Sequence, residues 1–213
     1  MQNNREKREE ILQALSWRYA TQVFDKEKKV DEEDIHTILE AARLSPSPFG
    51  IEPWKFLVIE NPELRAKVGK QPKMTEASHL IIITYRTDVL ENITKERLER
   101  TAKIQNQKIE ELDGLKKSIE TTIQKKYTEG NLEHWVRSQS YIPLGIMIET
   151  ASLLGVDNGP MEGFDPIVVD EVLGLKKKNL KSLTMLALGY RGEDPTALRP
   201  KVRRSFDEVI EFI

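Results

Sequence analysis

Two apolar spacings alternate along this chain. Residues 5–17, REKREEILQALSW, set Ile11, Leu12 and Leu15 on one helical face behind a charged first turn, and the pattern lapses at Arg18. Asp31 is placed to cap a second helix, in which Ile35, Ile38, Leu39 and Ala42 fall at i, i+3, i+4 and i+7. That helix must stop by Ser45, because Pro46 disfavours helical geometry in the residue before it.

WKFLVIE (54–60), HLIIITY (79–85) and SLTMLALGY (182–190) are short apolar runs that read as buried strands. From about Glu91 to Tyr127 the pattern thins to isolated apolar positions such as Ile93, Leu98, Ile104, Ile109, Leu112, Leu115 and Ile119 among Lys, Glu, Arg and Gln. This predicts solvated helix, an excursion at about 91–129 with too few apolar residues for a core of its own. A stronger helix is predicted over Leu132–Leu154, stopped by Gly155; GVDNGPMEGFDP reads as turns, and a short helix follows near Pro166–Leu173. Strands interleaved with helices give an α/β or α+β sandwich, one domain over 1–213.

Composition narrows the function classes. A net charge of -2 gives no global attraction to nucleic acid, so a basic site must be local. The chain has no cysteine, which removes disulfides, thiolate metal sites and cysteine nucleophiles and suits a reducing cytoplasm. The polar opening MQNNREKREE predicts neither a secretory signal nor a membrane anchor. His36, His79 and His134 are scattered, and no metal site is expected.

Four stretches carry candidate chemistry. Arg18, in WRYATQ, has the donors for a bidentate bond to phosphate or carboxylate, though alone it reads more readily as a surface ion pair. Near the far end, KVRR places Lys201 and Arg203 on one side of an extended segment with Val202 facing inward; the simpler reading is a solubilising tail. In GPMEGF (159–164), two glycines would let backbone N–H groups approach a flat ligand, or merely form a loop. Finally, RLSPSPFGIEPWKF crowds Pro46, Pro48 and Pro53 around Gly50, a turn with little conformational entropy left to lose. No GxGxxG, GxxxxGK or GxSxG pattern is present.

Taken in order, RYATQVFD, LEAARLSPSPFGIEPWKFLVI, KMTEASHLIII, GVDNGPMEGFDP and LGYRGEDPTALRPKVRRS resemble the FMN-dependent nitroreductase family of NAD(P)H oxidoreductases, from about residue 14 to 206. The resemblance implies an α+β three-layer sandwich, with a central mixed, mostly antiparallel sheet flanked by helices and the C-terminal segments exchanged in a homodimer. It implies one FMN at each end of the dimer interface, gripped at its phosphate by Arg18, Lys201 and Arg203, with Tyr19 and Ala20 along the ribityl chain. Pro46, Ser47, Pro48 and Gly50 would come from the partner subunit. Pro160 and Met161 would pack on the isoalloxazine, the N–H groups of Glu162 and Gly163 would approach N5, and Lys73 and Lys70 would lie near the pyrimidine edge. Gln22 stands where lysine is common in similar chains, and Lys70 where a neutral amide is common.

The resemblance implies hydride transfer from NAD(P)H through FMN to a small acceptor such as a nitroaromatic or quinone, with no catalytic side chain. Alternatives are flavin reduction or a specific metabolic dehydrogenation on the same fold, or non-catalytic binding of a phosphorylated ligand by Arg18, Lys201 and Arg203.

Overall fold

A four-stranded sheet in the order β1-β2-β4-β3 organises the molecule: β1 is Trp54–Ile59, β2 His79–Arg86, β3 Asp157–Met161 and β4 Leu180–Gly189. A computed structural model describes residues 4–213, so the first three residues of the polar opening lie outside the described residues. All three ladders are antiparallel; parallel pairing in the described residues is limited to the single bridge Ala20–Asn158. Strand β3 corrects the sequence reading, which took 155–166 as turns and found three strands. DNGPM has none of the usual strand formers, and its pairing comes from β4 alongside, not from local propensity.

The two faces of the sheet explain why HLIIITY is unbroken in apolar character. Ile81 and Ile83 face α2 (Glu32–Arg43) and α7 (Leu132–Leu153), packing with Ile38, Leu144 and Met147. Leu80 and Ile82 face the other way, with Val68 of α3 (Pro62–Val68), Met74 of α4 (Pro72–Thr75) and Val169 of α8 (Pro166–Val172). A strand covered on both sides has no polar alternation to show. Helix α2 begins as expected, with the Asp31 carboxylate accepting from Glu33 N–H at 2.8 Å.

The charged excursion forms α5 (Thr94–Gln105) and α6 (Asp113–Thr128). Its Ile93, Ile119 and Ile123 are buried with Ile51, Tyr85, Val136 and Leu183 at one end of the sheet, while Ile104 and Ile109 stay exposed. The apolar face of α1 (Asn4–Trp17) has a different outcome: Ile11, Leu12 and Leu15 are all exposed, and the helix buries no residue in this chain. Val202 is 87% exposed, which overturns its expected inward orientation, and Phe206, Val209 and Phe212 further along are exposed as well. No described helix is long and apolar enough to cross a membrane.

Candidate functional site

After α1 the chain is laid directly against β3. Ala20 bridges Asn158, and Thr21 N–H donates to the Asn158 carbonyl at 3.2 Å. The approach is possible only because residue 159 is glycine: a Cβ there would lie 2.7 Å from the Thr21 carbonyl oxygen. Gly159 therefore serves strand packing rather than ligand approach, whereas Gly163 faces open space.

Beneath this segment the Arg191 guanidinium lies 4.3 Å from the Trp17 ring centroid and 4.8 Å from that of Tyr19. Buried Asp157 holds it there, accepting from Arg191 Nε at 2.8 Å and from its main-chain N–H at 2.9 Å. The Tyr19 hydroxyl donates to Asp194 at 2.9 Å, and burial together with that bond pushes its pKa up to about 12.

Arg18 stands on this braced turn, and the far end of the chain returns to it. Lys201 Nζ donates to the carbonyls of Leu15, at 2.7 Å, and of Arg18. Burial lowers the pKa of Arg18, and the nearby Arg203 charge lowers it further; burial also lowers Lys201, reinforced by Arg18 and Arg203. None of the three forms an ion pair with any described carboxylate. Arg18 Nε is shielded from solvent without a hydrogen-bond partner. Cations gathered without an acid leave a corner that a dianionic phosphate would complete.

The loop after β3 extends from this corner. Pro160 is half-buried, while the Met161 side chain is turned into the core beside Val169 and Met185, so any ligand contact at 161 falls to its backbone. Glu162 and Gly163 are exposed. Gln71 Nε2 donates to the Gly163 carbonyl at 2.5 Å, the Tyr141 hydroxyl donates to the Glu162 carboxylate, and Lys73 Nζ lies 3.5 Å from Gln22 Oε1. Gln22 also donates to the Ala20 carbonyl at 2.7 Å. The predicted Arg18, Tyr19, Ala20, Gln22, Lys73, Pro160–Gly163, Lys201 and Arg203 thus share one edge of the sheet; Lys70 is exposed beside Gln71.

Pro46, Ser47, Pro48 and Gly50 do not join them. They precede β1, the opposite edge strand, and enter at its Trp54 end, whereas Asn158 aligns through Leu188 and His79 with the Ile59 end. Three strand spacings, roughly 14 Å, and the length of β1 separate the two groups along a diagonal of the sheet.

The sequence pattern of the nitroreductase family matches residues 15–190, a span that takes in both groups except Lys201 and Arg203. The chain belongs to the nitroreductase family. A Staphylococcus haemolyticus protein with the provisional name NAD(P)H nitroreductase is 38% identical over 216 residues, covering 96% of this chain and 98% of that one. A nitroreductase-like protein from Streptococcus mutans superposes with a TM-score of 0.81 at 20% identity, over 96% of this chain and 98% of that one. A provisional nitroreductase of Exiguobacterium sibiricum, solved in complex with FMN, gives 0.75 at 21% identity, over 95% and 97%. In this nitroreductase, sequence reasoning missed Arg191, Asp157, Asp194 and Gln71. The one visible trace was an isolated acid entering β3 and an arginine just after β4, which become partners only once the two strands are paired.

Proposed function

We propose that this nitroreductase is an FMN-dependent NAD(P)H oxidoreductase. The Arg18–Lys201–Arg203 corner carries the reading: cations without an acid, one with an orphaned Nε. Those residues would hold the FMN phosphate, with Tyr19 and Ala20 along the ribityl chain and Pro160, the Met161 backbone, Glu162 and Gly163 against the ring. Gln22, Lys70 and Lys73 would lie at its pyrimidine edge, where positive charge favours the reduced, anionic form. The structure of the Exiguobacterium neighbour in complex with FMN and the name of the Staphylococcus relative support this choice of ligand and reductant.

Bound FMN would supply the hydride chemistry between NAD(P)H and an acceptor such as a nitroaromatic or quinone. The chain supplies position and charge. Arg191 under Trp17 and Tyr19 keeps the Arg18 turn rigid, Gln71 and Tyr141 restrain the loop at Gly163 and Glu162, and Lys73 presents its charge beside Gln22.

The same reading includes a homodimer. Pro46, Ser47, Pro48 and Gly50 would reach the flavin of a second copy, and the exposed faces of α1 and the last residues would be covered by exchange of C-terminal segments. The domain is then one unit over 1–213 with 91–129 as an excursion, and a cysteine-free chain suits the cytoplasm. Purified protein should be yellow and should bleach on adding NADH or NADPH. Protein that stays colourless and takes up no added FMN overturns the reading, and a flavin-bound monomer in sedimentation overturns the two-chain site.

A further inference from the structure

The turn between α2 and β1 holds a shape its own residues disfavour. Phe49, Gly50 and Glu52 have φ of 56°, 63° and 47°, so two side-chain-bearing residues sit in the left-handed region within four positions. Such residues are strained, and a conformation of this kind persists only where its surroundings enforce it. Inside the turn, Gly50 N–H donates to the Ser47 carbonyl at 2.9 Å and Glu52 N–H to Ser47 Oγ at 2.8 Å.

The remaining restraint comes from the excursion. Arg97 and Arg100 lie one turn apart on α5 and so share a face. Arg97 Nε donates to the Phe49 carbonyl at 2.7 Å, and Arg100 donates to the Gly50 carbonyl at 3.1 Å with its guanidinium 3.6 Å from the Glu52 carboxylate. Arg97 is itself fixed by donating to Thr101 Oγ1 within α5. A Cβ on Gly50 would lie 3.1 Å from the Arg97 guanidinium, so the contact is tight. Ile51 is buried with Ile93 and Ile119, which anchors the turn beneath the same helices. The exposed Phe49 borders a cavity of about 470 Å³ with Lys117, Ser118 and Thr121 of α6.

We propose that Arg97 and Arg100 are positioning residues for the flavin site: they lock the left-handed residues at Phe49, Gly50 and Glu52, which shape the Ser47–Gly50 wall, and so make the excursion part of the site. This rests on the reading that the wall faces a partner's FMN. The excursion is thereby coupled to the cofactor through two guanidinium groups and two backbone carbonyls, without touching the cofactor itself.

The test compares full-length wild type with Arg97→Ala/Arg100→Ala, Arg97→Lys and Gly50→Ala. In flavin-free protein, the double variant should exchange the Gly50 and Glu52 amide hydrogens roughly tenfold faster, the scale of one lost hydrogen bond, while amides of β2 keep their rates. Its FMN Kd and its KM for a quinone acceptor should each rise roughly tenfold with a smaller change in kcat, and Arg97→Lys should recover part of both. Gly50→Ala, which keeps both arginines, should reproduce the exchange and the Kd effects. Unchanged exchange in the double variant overturns the clamp. Faster exchange with wild-type Kd and KM overturns its role in the site. Wild-type protein that takes up no FMN defeats the flavin reading instead, whatever the exchange rates.

Discussion

Arg65 is buried and Arg18 half-buried with its Nε shielded, and their outcomes are opposite. Arg65, 4% exposed, donates to the carbonyls of Ile59 at 2.7 Å, Ala77 at 2.5 Å and Ser78 at 2.6 Å, and thereby ties the end of β1 to the approach to β2. Arg18 has a shielded Nε without a partner and two further cations beside it. A guanidinium with its donors filled is an internal strut. One left short, among like charges, is what the proposed phosphate site would complete. What separates the two is whether the surroundings complete the hydrogen bonding.

The largest expected effect is on the filled side. Arg65→Met leaves three buried carbonyls without donors and should lower unfolding free energy by about 3–5 kcal/mol in a denaturant titration, the range for breaking a buried polar network. A loss under about 1 kcal/mol would place Arg65 with the ordinary surface arginines. Arg18→Ala should act in the reverse sense. Flavin-free stability should hold or rise, while FMN affinity falls by about 1–3 kcal/mol, the scale for hydrogen bonds to charged groups. Arg203→Ala should weaken FMN on the same scale, and unchanged affinity would remove it from the site.

Inorganic phosphate probes the contrast without mutation. At about five times its Kd it should raise stability by about 1 kcal/mol, an effect absent from Arg18→Ala. The smallest effect concerns His79, whose Nδ1 lies 3.0 Å from Ser78 Oγ beside the Arg65 strut. Burial, and next the Arg65 charge, hold its pKa below the ordinary value. A base whose folded pKa is lowered keeps its full stability above the unfolded value near 6.5 and loses it as pH falls below that toward the folded value. Thermal stability should therefore decline below about pH 6.5, less steeply in His79→Gln; equal slopes would remove His79 as the cause.

What the sequence made legible depended on how far each feature reaches. The helix at 32–43 announces itself through i, i+3, i+4 spacing and a local cap, and the strand at 79–86 through an unbroken apolar run, because both of its faces are buried. Strand β3 does not, since DNGPM is extended on account of β4 and not of its own side chains. Arg18, Lys201 and Arg203 were legible as charge, and the structure brings ends of the chain 183 residues apart together at Arg18 and Lys201. Arg191 was not, because stacking under Trp17 and Tyr19 leaves no spacing to read. Val202 was misread because alternation assumes a covered side, and this segment has none within its own chain.

The diagonal between the cation corner and the proline turn also bears on assembly. On the proposed two-chain reading, a flavin held by both corners would be a ligand of two chains, and its apparent affinity would vary with protein concentration as well as with flavin concentration. Dilution alone would then shed cofactor from chains that remain folded, and the colour of a solution would report on assembly before it reported on denaturation.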